Sequence, residues 1–252
     1  MKTQILKAAL FSFIIFFSCS QTNQQRPILE RAEKVMSEHP DSALFLLEQI
    51  VTPEKMSERD YATWCLLITE ARDKNYIEHT SDSLINIAVQ YFEKKKDTNW
   101  SNKTLEILKF IATNHKDPIL GQPNVTDDKD KEIKSIEMLQ SNALNCVRGS
   151  SARTISHLLY NRKELFKQFQ ETIKKLSQDE NPVVRFASLY CLYTSFYIDK
   201  EWASPIILEL YKQDDRFLSF WESRRLLFAM YKEEKNRGEV LEIIKNLYYS
   251  DN

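Results

Sequence analysis

The chain has 252 residues, 42% of them hydrophobic, with 35 basic and 36 acidic side chains and a formal net charge of -1. That is enough for one large or two modest domains with a real core. The balanced charge argues against a dedicated nucleic-acid binder, which carries a basic surplus. Only three glycines are present, which disfavours sheets joined by tight hairpins and favours helices.

The N-terminus carries Lys2 and Lys7 and then an apolar run over residues 8–17. The run is too short to span a bilayer and reads as the core of a signal peptide. It ends in Ser18-Cys19, followed by a polar stretch to residue 25. A small residue before a cysteine and a polar tether after it resemble the lipobox of bacterial lipoproteins, although Phe16 stands where that family usually has Leu or another aliphatic residue. The resemblance implies a signal peptide over residues 1–18, lipidation of Cys19 and a tether over 19–25. It also implies a place in the cell envelope, on the outer membrane by expectation, held by acyl chains. An ordinary signal peptide or an uncleaved anchor is the alternative reading of the same run.

Apolar residues then recur at helical spacing. A helix is predicted over 26–38, with Pro27 in its first turn, and ends at His39-Pro40. Asp41 is the expected cap of a second helix over 42–51, which Thr52-Pro53 ends. Ser57, with Asp60 three residues on, is the expected cap of a helix reaching residue 73, with Tyr61 and Trp64 facing inward. Thr80 or Ser81 would cap the next helix, 82–95, and another follows over 100–115. Helix–turn–helix units with short links build stacks of hairpins. The strings around Ala32–Leu47 and Ala71–Ile85 resemble a group of Bacteroidetes lipoproteins with tetratricopeptide-like N-terminal repeats. That resemblance implies a hairpin scaffold over 26–115 and no activity.

Residues 116–130 contain Pro118, Gly121 and Pro123 with little periodicity, and read as a linker and domain boundary. Its acidic run lacks the glycine and the terminal glutamate of a calcium loop. Beyond it, a helical pattern runs over 133–159, an outer helix over 163–177, and then a turn and Pro182 open a helix apolar on nearly every side. A helix of that kind lies between neighbours. Val147-Arg148 and Val184-Arg185 repeat at an offset of 37, as do Ser151 and Ser188, and Asn142 and Asp179. Helix pairs with this spacing, each with a Val-Arg start on its second helix, resemble HEAT repeats. The stacking residues expected from it are Asn142, Arg148, Ser151, Asp179, Arg185 and Ser188. The two serines would let helices approach, and each arginine would hydrogen-bond a turn residue or carbonyl and link one repeat to the next. Helices over 202–211, 217–231 and 240–249 form a third unit without Val-Arg, as in a capping repeat. Residues 116–252, through the strings at 145–149, 181–187 and 248–251, also resemble the helical-repeat part of bacterial multidomain ATPases of the antiviral-defence type, but no P-loop is present.

Cys65, Cys146 and Cys191 are widely spaced, each in an apolar helical stretch, and read as buried free thiols. The four histidines are scattered, and no HExxH, GxSxG or GxGxxG occurs. Arg162, Lys163, Lys167, Lys174 and Lys175 give one outer helix a basic side that Glu164, Glu171 and Asp179 dilute. Tyr190, Tyr193, Phe196, Tyr197 and Trp202 form an aromatic-rich stretch, read as core or, more sharply, as a partner-binding surface. The expectation is an all-α fold: an α-α superhelix (solenoid) of hairpins, tetratricopeptide-like over 26–115 and HEAT-like over 131–252. No catalytic, cofactor or metal residue is expected, and nucleic acid is disfavoured. The function expected is a non-enzymatic, membrane-anchored scaffold for a protein or peptide partner. The alternative is a cytosolic HEAT-like sensor or scaffold related to antiviral-defence proteins.

Overall fold

The computed structural model describes residues 25–77, 83–118 and 136–250. The chain is all-α, a helical-repeat type of fold: the described residues form twelve α-helices and three 3-10 helices, with no strand among them. The expected signal peptide, Cys19, the tether to residue 24, the caps at Thr80 or Ser81 and positions 119–130 of the linker lie outside the described residues. The chain forms two compact units, and the division falls between Leu105 and Glu106, earlier in the chain than the linker.

The first unit holds α1 (Arg26–Val35), α2 (Pro40–Glu48), α3 (Glu58–Lys74), α4 (Ser83–Lys95) and the first turns of α5 (Thr98–Asn114). One stripe of each early helix builds its core: Leu29, Ala32 and Met36, then Ala43 and Leu47, then Leu67, Ile68 and Ala71. The Trp64 indole donates to the Leu47 carbonyl at 3.0 Å and ties α3 to α2. Ser57 caps α3 as expected, accepting the Asp60 N–H at 3.1 Å while its hydroxyl donates to Asp60 Oδ2 at 2.7 Å. Asp41 does not cap α2. Pro40, expected only to end α1, takes the first helical position of α2, where its missing N–H costs nothing, and Asp41 falls inside the first turn. Helices α3 and α4 both end in a left-handed residue, Tyr76 (φ 56°) and Lys96 (φ 54°). The following N–H groups fold back, Ile77 to Arg72 O at 3.0 Å and Asp97 to Phe92 O at 3.3 Å. This is a Schellman ending without its usual glycine.

The second unit holds α6 (Ile136–Asn145), α7 (Val147–Asn161), α8 (Phe166–Ser177), α9 (Pro182–Phe196), α10 (Lys200–Gln213), α11 (Trp221–Tyr231) and α12 (Glu234–Ser250). Short 3-10 helices precede α8 (Lys163–Leu165) and α11 (Asp215–Ser219). Helix α9 is the inner element. It packs against α6, α7, α8 and α10, and Val184, Phe186, Ala187, Cys191, Leu192 and Phe196 are fully buried on its different sides.

The pattern over 133–159 is two helices, with Val147-Arg148 at the start of the second as the repeat implies. It breaks at Cys146, whose extended backbone lets its Sγ accept the Gly149 N–H at 3.3 Å as a cap. Cys146 therefore lies between two helices and not inside one. Gly149 allows the break to be tight: a Cβ there would stand 2.1 Å from the Ala143 carbonyl oxygen. The break also leaves Asn142 inside α6, where its carbonyl accepts the Cys146 N–H at 3.0 Å. It is not the turn counterpart of Asp179.

Candidate functional site

Arg148 stands at the second position of α7, with its guanidinium largely buried. Nη1 donates to Asp179 Oδ2 at 2.5 Å, in the turn that precedes α9. Nη2 donates to the Pro118 carbonyl at 3.1 Å, and the Arg148 backbone N–H to the Asp117 carbonyl at 3.3 Å. Asp117 Oδ2 accepts the Val147 N–H at 2.6 Å, so a carboxylate meets the N-terminus of α7, where helix polarity favours it. Asp179 Oδ1 accepts the Asn181 N–H at 2.9 Å, and Asn181 Oδ1 caps α9 through the Val183 N–H at 3.0 Å. One arginine thus joins the start of α7, the 117–118 segment and the turn before α9.

Arg185 does different work. Its Nη1 donates to the Asp179 and Glu180 carbonyls at 2.8 and 3.0 Å, within the turn that opens its own helix. It does not link to a following repeat. The caps explain the difference: Cys146 and Asn181 lie 35 positions apart, whereas the two Val-Arg pairs lie 37 apart. Arg148 is therefore second in its helix and Arg185 fourth.

The serines are both fully buried. Ser188 donates to the Arg185 carbonyl of its own helix at 2.6 Å, and the Ser151 hydroxyl has no partner. The bonds that cross from α7 to α9 fall at positions the sequence did not single out. Ser156 donates to the Tyr190 carbonyl at 2.8 Å and pairs with Thr194 at 2.9 Å. Cys191 donates to the Ala152 carbonyl at 2.9 Å.

The outward stripes of α7, α9 and α11 form the candidate interaction surface. On α7 it carries Arg153, His157 and Tyr160, spaced one turn apart, with Tyr160 76% exposed. On α9 it carries Tyr190, Tyr193 and Tyr197, with the last two rings 5.2 Å apart and Tyr197 56% exposed. On α11 it carries Glu222, Arg225 and Phe228, with Phe228 62% exposed. The aromatic-rich stretch of α9 is therefore divided: Phe196 is core, while Tyr197 faces out.

Electrostatics tie these stripes together. Burial raises the Tyr190 phenol, with Arg153 and Gln140 opposing and Glu222 reinforcing. The Tyr193 hydroxyl raises Tyr197, and Arg225 opposes. Burial pushes the Glu222 carboxyl up to about 7, against its own backbone hydrogen bond and Arg225. One Glu222 oxygen is buried without a hydrogen-bond partner.

Burial also pushes the Cys65 and Cys146 thiols up to about 12 and raises Cys191 still further. All three are free and protonated at neutral pH, which makes them inert as nucleophiles. Among the described residues no group of three or more His, Cys, Asp or Glu is placed to hold a metal ion, and no helix is long and apolar enough to cross a membrane. No protein-family model, curated protein or solved structure matches the chain.

Proposed function

We propose that the chain is a non-enzymatic helical-repeat scaffold, tetratricopeptide-like in its first unit and HEAT-like in its second, that binds a protein or peptide partner. It is held at a membrane through lipidated Cys19. The observation that supports partner binding is the face formed by α7, α9 and α11. Three large aromatic side chains stand exposed there beside Arg153 and Arg225, and Tyr and Arg are the side chains that carry most binding energy at interfaces. The resemblance of residues 16–19 to a lipobox supports the anchor.

Crosslinking and mass spectrometry in native envelopes test the partner. A stoichiometric partner whose crosslinks fall on the α7–α9–α11 face and are lost in Tyr197→Ala supports the reading; no enriched partner in wild type removes it. Palmitate labelling tests the anchor. Label lost in Cys19→Ala supports it, whereas a soluble, unlabelled chain with an intact N-terminus favours the cytosolic sensor.

A further inference from the structure

A cavity of about 340 Å³ opens in the first unit between α1, α3 and the start of α5, at the small end of the range for ligand sites. Its walls are charged, and the pairing of those charges indicates what is missing. Arg26 grips Asp60 Oδ1 through Nε and Nη2 at 3.2 and 3.1 Å, and the other Asp60 oxygen is taken by Ser57. Arg59 donates to Asp97 at 2.9 Å. Lys103, behind the wall, lies 3.3 Å from both Glu33 and Glu70. Glu30, one position beyond Leu29 on the lining face of α1, has no ion-pair or hydrogen-bond partner among the described residues. With each pair, the shared Lys103 and the Lys74 that also meets Glu70 counted, carboxylates outnumber cations by one. Trp100 completes the wall, stacked on Phe92 with ring centroids 5.4 Å apart. The Lys103 ammonium sits 5.5 Å from the indole centroid, so this ring already stabilises one alkylammonium group by cation–π attraction.

We infer that this cavity binds the alkylammonium end of a lysine side chain presented by a peptide. The ammonium lies between Glu30 and Glu33, and its methylene stem lies against Leu29, Thr63 and the Trp100 edge. The uncompensated carboxylate supplies the charge and the indole the apolar contact, and a carboxylate ligand would add to an existing negative excess. The site lies in the first unit and stands or falls independently of the α7–α9–α11 face.

Calorimetric titration of the full chain with N-acetylated, C-amidated pentalysine tests it. Wild type is expected to bind, and Glu30→Gln to weaken binding about tenfold or more, the loss of one charge-assisted hydrogen bond. Far-UV circular dichroism and Tm should be unchanged, because Glu30 is exposed and supports nothing else. Glu171→Gln, on an exposed face of α8, should leave affinity as in wild type. Three results overturn the inference: no heat with pentalysine at about millimolar concentration, an equal loss in Glu171→Gln, or tighter binding of pentaglutamate. Free cadaverine binding as tightly as the peptide overturns the peptide source and leaves a small diamine as the ligand.

Discussion

Arg148 and Arg185 follow a valine at the start of neighbouring helices, yet they hold different things together. Arg148, second in α7, reaches out of its own helix to Asp179 and Pro118. Arg185, fourth in α9, curls back on two carbonyls of its own turn. The start of α11 gives a third case: its second position is Glu222, half-buried and pushed up to about 7. Position relative to the cap, and not the letter pair, decides whether a side chain at a helix start binds a neighbour or its own turn. A repeat read from sequence gives the period of the letters. The task of each letter depends on where the preceding turn ends.

The sharpest way to break this comparison is at the third position. It is Gly149 in α7 and Val184 in α9. Gly149→Ala forces a Cβ into the Ala143 carbonyl and is expected to cost about 3 kcal/mol or more, an overpacking loss against backbone. Urea unfolding checks it, and a loss under about 1 kcal/mol would mean that the α6–α7 break is loose.

The arginines come next. Arg148→Ala strips a largely buried carboxylate of its partner and is expected to cost about 3 kcal/mol. Arg185→Ala removes two bonds to carbonyls at a partly exposed turn, for a loss of about 1 kcal/mol. A double-mutant cycle with Asp179→Ala should show coupling for Arg148 and little for Arg185, and the reverse order would refute the assignment of roles. Asn181→Ala, which removes the α9 cap and leaves the Val183 N–H buried, should cost about 1–2 kcal/mol.

An effect as small as that of Arg185 is expected at Glu222. Its folded carboxyl titrates at about 7 against an ordinary 4.5, so the folded state holds a proton that the unfolded chain has released. The stability this confers is present below the unfolded value and is lost as pH rises toward 7. Glu222→Gln should flatten that slope and raise Tm relative to wild type above pH 7. Solvent reaches the group, so the gain is discounted to about 1 kcal/mol. Thermal melts at pH 5 and pH 8 compare the two, and an unchanged pH slope in the variant would show that another group carries it.

Much of the helical order was legible because apolar spacing survives in single stretches: α3, α8 and α9 begin within a few residues of their expected starts, and Ser57 caps α3 as its pattern implies. The Arg148–Asp179 tie was legible in kind, since a buried arginine beside a turn needs an acceptor. What sequence missed depends on contacts made through space. Asp117 sits in a segment without periodicity, and only the fold brings it to the start of α7. The helix start at Val147-Arg148 was legible from the Val-Arg repeat, whereas its cap was hidden because a thiol seldom caps a helix. The ends of α3 and α4 fall within one residue of the expected 73 and 95, but the left-handed closures at Tyr76 and Lys96 were not legible, because glycine usually marks that conformation.

The three buried thiols have a consequence for how the chain ages. Each is enclosed in packed side chains and held protonated, so these three thiols are shielded from oxidants and from disulfide exchange while the chain around them stays folded. Unfolding of the first unit exposes Cys65 and unfolding of the second exposes Cys146 and Cys191, and disulfide-linked aggregates then record which unit has opened.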